Sequence, residues 1–191
     1  MIKKNSKEEE FYLKNKLFFN VLELVLKKYP IRHIKNDFCG IGLVNKTLYD
    51  KLNITKKSTK NYSFDFSDSN AAMLKLVKTQ IEKMPNCKSR RYVIKDILTD
   101  KININRLNII ITHNALQNFN YKEVEAIKNK YTLSGFTAAQ IHCVPTNYCR
   151  DPCIKAGVSY IRDENTWKIL LNPDHAFLTR DKQYLITVKF N

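Results

Sequence analysis

Apolar residues recur at helical spacing from Phe11 through Phe18, Val21, Leu22, Val25 and Leu26, behind Ser6 and the acids Glu8 to Glu10. That pattern predicts one amphipathic helix over residues 6 to 28, ended at Tyr29-Pro30. Ile31 to Phe38 is short and moderately apolar. Cys39-Gly40-Ile41-Gly42 and a helical pattern through Leu43, Val44, Leu48 and Leu52 follow it, so the stretch reads as strand, glycine turn and helix. Tyr62 to Phe66 alternates as a second strand. Asp68 or Ser69 is placed to cap the next helix, which carries Leu74, Val77 and Ile81 and stops at Pro85. Arg91 to Ile97 fits a third strand. Leu107 to Thr112, with three consecutive isoleucines, has the character of a strand buried on both faces. A helix over 121 to 130, a fifth strand over 136 to 144, a short helix from Trp167 to Leu171, and a hairpin of His175 to Thr179 with Tyr184 to Phe190 complete the pattern.

Strands alternating with helices predict an α/β domain with a parallel sheet and right-handed crossovers. At 191 residues the chain is expected to hold one such domain over 31–191, with residues 1–30 as a helix packed on it. In a doubly wound sheet the ligand lies beyond the carboxyl ends of the strands, where glycine lets the backbone come close. Gly40 and Gly42 offer that turn. Asp65, 23 residues after Gly42, stands where an acid can hold both hydroxyls of an adenosine ribose. A nicotinamide dinucleotide loop uses the same turn, but its third glycine falls at Asn45.

In their order these segments resemble the class I S-adenosylmethionine-dependent methyltransferases over about residues 31 to 145. Phe38-Cys39-Gly40-Ile41-Gly42 is similar to the family's glycine motif, in the Phe-Cys-Gly-x-Gly form of several nucleic-acid methyltransferases. Phe64-Asp65-Phe66-Ser67 resembles the second-strand motif whose acid binds ribose. Asp96 and Ile97 match the adenine contact, and Asn108 to Asn114, followed by Ala115 to Phe119, is similar to the fourth-strand motif facing the transferred methyl. The chain departs from the family at Asn36 and Asn108, where acids are usual, at Phe38, where the earliest glycine falls, and in having no Asn-Pro-Pro-Tyr motif. The resemblance implies a doubly wound, Rossmann-like α/β fold, mostly parallel with a closing antiparallel hairpin. It also implies a methyltransferase that uses S-adenosyl-L-methionine. The implied cofactor site is Asn36, Asp37, Phe38, Cys39, Gly40, Gly42, Asp65, Phe66, Asp96, Ile97 and Thr112, with His113 and Asn114 catalytic.

Charge adds a partner to this picture. A formal net charge of +15 attracts polyanions, nucleic acid first and RNA favoured, although a lysine-rich composition without a binding face gives the same number. A small acceptor, or a nucleic-acid-binding domain without catalysis, is the alternative. Lys56, Lys57 and Lys60, and the run Lys88 to Arg91, are read as loops before strands. Tyr148, Arg150, Lys155 and Tyr160, after the fifth strand, are better placed for phosphate and base. Five cysteines at uneven spacing read as reduced thiols of a cytoplasmic protein. Cys149 and Cys153 lack a second pair facing them, so no metal is expected. The charged opening residues predict no export signal, and no apolar run approaches the roughly 18 residues of a membrane span.

Overall fold

The computed structural model describes residues 7–29, 31–40, 42–51, 62–82, 87–101, 107–150 and 160–191. Lys56, Lys57, Lys60, Cys153 and Lys155 lie outside the described residues. The chain divides into two compact units, Met1–Ile94 and Lys95–Asn191.

The first unit opens with two helices, α1 (Lys7–Lys14) and α2 (Lys16–Lys28), in place of the single predicted one. Asn15 makes the break. Its side-chain amide donates to the Phe11 carbonyl at 2.9 Å, competing with the helical ladder as asparagine does. Phe18, Phe19, Val21, Leu22 and Val25 then form the buried stripe of α2. β1 (His33–Asp37), α3 (Leu43–Lys51), β2 (Tyr62–Asp68), α4 (Ala71–Ile81) and β3 (Cys87–Ile94) follow. The strands are parallel in the order β3-β2-β1.

The boundaries of α4 and β3 differ from the sequence expectation. Asn70 caps α4, accepting from Ala72 N–H at 2.9 Å, whereas Asp68 is engaged elsewhere. β3 starts at Cys87, so Lys88 to Arg91 lie within the strand and Asp96-Ile97 beyond it. Parallel pairing with β2, from Ser63↔Ser89 to Asp68↔Ile94, extends the ladder back through the basic run. Backbone pairing here outweighs side-chain polarity.

The second unit contains β4 (Asn108–His113), a 3-10 turn (Leu116–Asn118), α5 (Tyr121–Leu133), β5 (Thr137–Pro145), α6 (Glu164–Leu171), β6 (His175–Leu178) and β7 (Tyr184–Phe190). β4 and β5 are parallel, and β7 and then β6 close the order β4-β5-β7-β6 antiparallel, as the predicted hairpin. A capping box starts α5, with Glu123 N–H on Asn120 Oδ1 at 3.1 Å and Asn120 N–H on Glu123 Oε2 at 2.8 Å. Trp167 of α6 is fully buried and donates from Nε1 to the Pro145 carbonyl at 2.8 Å, tying the helix to the end of β5. This is the mostly parallel, doubly wound α/β architecture that the strand and helix alternation predicts.

Candidate functional site

In the first unit the carboxyl ends of β1 and β2 meet at the glycine turn. Phe38, Gly40 and Gly42 all have positive φ, at 61°, 50° and 76°. Phe38 therefore holds the left-handed conformation that glycine adopts freely, at a cost of about 1–3 kcal/mol for a residue with a Cβ. Cys39 N–H extends the ladder to the Ser67 carbonyl at 3.1 Å, and Gly42 N–H closes the turn on the Cys39 carbonyl at 2.8 Å. A Cβ on Gly42 would lie 3.1 Å from the Val77 side chain, so that glycine lets α4 come close. A Cβ on Gly40 would meet no atom of the described residues within 4 Å. One glycine serves packing and the other faces open space.

Asp68 ends β2 beside that space. Its Oδ2 accepts from Gly40 N–H at 3.1 Å and its Oδ1 from Asn70 N–H at 2.9 Å. Each oxygen keeps a lone pair, so the carboxylate is oriented and still able to accept. Asp65 stands three residues earlier, within the strand, with Oδ2 3.2 Å from His33 Nε2. Burial opposes its charge, but the hydrogen bond from His33 and the charges of His33, Lys35 and Arg91 hold Asp65 below its ordinary value. Sequence spacing points to Asp65, whereas strand-end geometry picks out Asp68. The alternation of Tyr62 to Phe66 stops at Ser67-Asp68, so the sequence pattern gave no sign that the strand reaches Asp68.

The other residues expected at this turn are committed to the fold. Asp37 is fully buried, 2.7 Å from Lys35 Nζ, and accepts a hydrogen bond from the Ser67 hydroxyl. Asn36 donates to the Asn45 carboxamide, binding β1 to α3 by a side-chain contact where a dinucleotide loop would need glycine. Phe66 is buried in an aromatic stack, 5.3 Å from Tyr92 and 6.0 Å from Phe64. Burial and the nearby Asp68 charge push the Cys39 thiol up to about 12, so it stays protonated and unreactive.

In the second unit Asp96 and Ile97 form a turn after β3. Asp96 Oδ1 accepts from Leu98 N–H at 2.9 Å, and Lys130 Nζ of α5 donates to the Ile97 carbonyl at 2.8 Å and also to that of Leu98. Asp96 is exposed, Ile97 buried. Thr112 is buried, its hydroxyl 2.9 Å from His142 Nδ1 on β5. Burial lowers His142 to about 4, so its imidazole is neutral near pH 7. His113 ends β4 partly buried.

Beyond β4, Asn114 adopts φ 50°, and its N–H donates to the Cys143 carbonyl at 2.9 Å. Its Oδ1 is buried without a hydrogen-bond partner among the described residues. So is Oε1 of Gln117, a residue only 3% exposed that the sequence reading did not single out. A buried acceptor without a donor costs about 1–3 kcal/mol, and such atoms mark places where a ligand can supply the bond. Among the described residues no group of His, Cys, Asp or Glu could hold a metal ion, and no helix is long and apolar enough to cross a membrane.

No family pattern and no curated protein matches the chain. Solved structures do match it, at low identity. The magnesium protoporphyrin IX methyltransferase of Synechocystis PCC 6803, solved with bound SAM, is 11% identical with a TM-score of 0.64, covering 98% of this chain and 85% of that one. A SAM-dependent methyltransferase of Leishmania major is 14% identical with a TM-score of 0.66, covering 92% and 72%. An N-methyltransferase of Bradyrhizobium japonicum WM9 is 12% identical with a TM-score of 0.63, covering 93% and 96%. The likeness is one of fold: the chain has the Rossmann-like fold of class I S-adenosylmethionine-dependent methyltransferases.

Proposed function

We propose that the chain is a methyltransferase that binds S-adenosyl-L-methionine at the Phe38 to Gly42 turn and methylates nucleic acid, RNA in preference. The observation that carries the reading is the turn itself. Left-handed residues at 38, 40 and 42 bend the backbone around open space at Gly40, and Asp68 is fixed at its edge with acceptor capacity to spare. Asp68 is the residue for the ribose hydroxyls, with Asp65 a half-buried partner of His33. The bound cofactor supplies an electrophilic sulfonium methyl, so the protein's task is chiefly to align the acceptor. Within the second unit, Asn114 and Gln117 supply buried carbonyl oxygens that can accept a hydrogen bond from an N–H or O–H group of a ligand. The preference for nucleic acid rests on the net charge of +15.

Calorimetric titration with S-adenosylmethionine and with its demethylated product tests the reading. Wild-type protein should bind both. Asp68→Asn should weaken binding by about 1.5–3 kcal/mol, the range for hydrogen bonds to a charged group, and Asp65→Asn much less. A wild-type chain that gives no heat with either compound overturns the methyltransferase reading. Loss of binding confined to Asp65→Asn returns the ribose contact to mid-strand.

A further inference from the structure

The loop after β5 and the β6–β7 turn enclose a polar cleft of about 390 Å3, lined by Asn147, Tyr148, Cys149, Arg150, Asp181 and Gln183. Its walls are held to each other. Thr146 N–H donates to the Gln183 carbonyl at 2.9 Å and the Thr146 hydroxyl to the Lys182 carbonyl. Cys149 N–H reaches the Thr146 carbonyl at 2.9 Å, and Arg150 N–H reaches Gln183 Oε1 at 3.2 Å. Asp181 also lines the cleft as a charged carboxylate; burial opposes its charge, but hydrogen bonds that direct its oxygens into the turn hold it below its ordinary value. Its Oδ1 accepts from the Thr179 hydroxyl at 2.7 Å and Gln183 N–H at 3.2 Å, and its Oδ2 from Gln183 Nε2 at 2.8 Å.

What remains unengaged defines the ligand. Tyr148 is 60% exposed, and neither its ring nor the Arg150 guanidinium has a partner among the described residues. Asn147 adds an exposed carboxamide. A hydrogen-bonded loop presenting an aromatic face and a guanidinium without partners among the described residues, together with an amide, suits a planar ring that carries a phosphate. Aromatic faces stack bases with little regard to sequence, and guanidinium grips phosphate. The volume lies near the lower end of the range for small-ligand sites, room for a single nucleotide and too narrow for a duplex. Tyr160, also expected near phosphate, instead lies 5.4 Å from the Arg162 guanidinium and is not part of this lining.

We propose that this cleft seats one nucleotide of a single-stranded nucleic acid, its base on Tyr148 and its phosphate on Arg150. The cleft opens beyond the carboxyl end of β5, the same end of the β4–β5 pair at which Asn114 meets Cys143. Only the purpose of the strand rests on the methyltransferase reading; the binding itself does not.

The test is fluorescence anisotropy of a labelled eight-nucleotide RNA with the full chain in the absence of cofactor, alongside titration with adenosine and uridine monophosphates. Tyr148→Ala should weaken RNA binding about 5- to 100-fold, and Tyr148→Phe should restore most of it. Arg150→Gln should flatten the plot of log K against log salt by about 0.7, the value for one phosphate contact on a single strand. Both side chains are exposed, and unchanged melting temperatures will show that the variants fold. Wild-type affinity in both Tyr148→Ala and Arg150→Gln overturns the proposal, as does a wild-type chain that binds no RNA. Monophosphates that bind as tightly as the strand, with the same dependence on Tyr148 and Arg150, make the ligand a free nucleotide and overturn the strand. Cofactor titration of the same variants separates the two readings: RNA binding without cofactor binding keeps the cleft and removes methyl transfer, and the converse removes the cleft alone.

Discussion

β1 and β4 are both short parallel strands that the fold buries almost completely, and they are built from opposite chemistry. β4 places Ile109, Ile110 and Ile111 in succession at zero exposure, each burial contributing about 1.5–3 kcal/mol without needing a particular neighbour. β1 is His-Ile-Lys-Asn-Asp. Lys35 depends on Asp37, Asp37 on Ser67, His33 on Asp65 and Asn36 on Asn45. A strand made in the first way tolerates a poor partner, whereas one made in the second stands only while every pairing is intact. β1 also leads directly into the turn at Phe38 to Gly42, so the proposed cofactor site depends on the more conditional of the two strands.

The largest effect should come from breaking one pairing. Asp37→Ala leaves the Lys35 ammonium buried and unpaired, and should cost about 3–5 kcal/mol in urea unfolding. Replacing both, Lys35→Met with Asp37→Leu, should recover part of that loss, because the attraction of a buried pair roughly offsets the desolvation of its two charges, and should stay about 1–3 kcal/mol below wild type because the buried Ser67 hydroxyl loses its acceptor. A double variant as unstable as the single one would show that the charges hold the strand by more than their mutual pairing.

Acid should separate the two units. His142 beside β4 titrates near 4 in the fold against about 6.5 unfolded, so the unfolded chain binds the proton first as pH falls. Its contribution of about 3 kcal/mol is complete above pH 6.5 and is lost between 6.5 and 4. Asp65 is held below its ordinary value, so its contribution is complete above about pH 3.9 and is lost only at lower pH, through its folded value. Thermal melting from pH 7 to 3 should show the earlier loss flattened by His142→Gln and the later one by Asp65→Asn. If His142→Gln leaves the profile unchanged between pH 6.5 and 4, the imidazole is not neutral because of burial.

The smallest effects lie within the turn. Gly42→Ala must accommodate both φ 76° and the Val77 side chain at 3.1 Å, and should cost about 1–3 kcal/mol. Gly40→Ala meets only the backbone strain and should cost about 1 kcal/mol while weakening S-adenosylmethionine binding. Calorimetry and thermal melting on the pair check the division. Equal losses of stability with equal losses of cofactor affinity would show that the two glycines do the same job.

The same contrast explains what could be read in advance. β4 was legible because three isoleucines declare their own burial. β1 was recognisable only from the glycines after it, since nothing in His-Ile-Lys-Asn-Asp announces which neighbours will neutralise it. The glycine turn was read correctly in position, but Phe38 at φ 61° was not foreseen, because an aromatic residue gives no local sign of a left-handed backbone. Asp65 was chosen for the ribose by its distance from Gly42, and spacing cannot resolve which of two acids three residues apart ends the strand.

The order of elements, the place of the turn and the closing hairpin were determined by the sequence alone, because periodicity and glycine act through local sterics that every chain obeys. Tertiary structure decided the rest. The parallel register drew Lys88 to Arg91 into β3, the Ser67 and Lys35 contacts took up Asp37, and the end of β2 placed Asp68 against Gly40 N–H. A buried polar group takes its role from the partner that satisfies it, and that partner is brought by the fold from elsewhere in the chain.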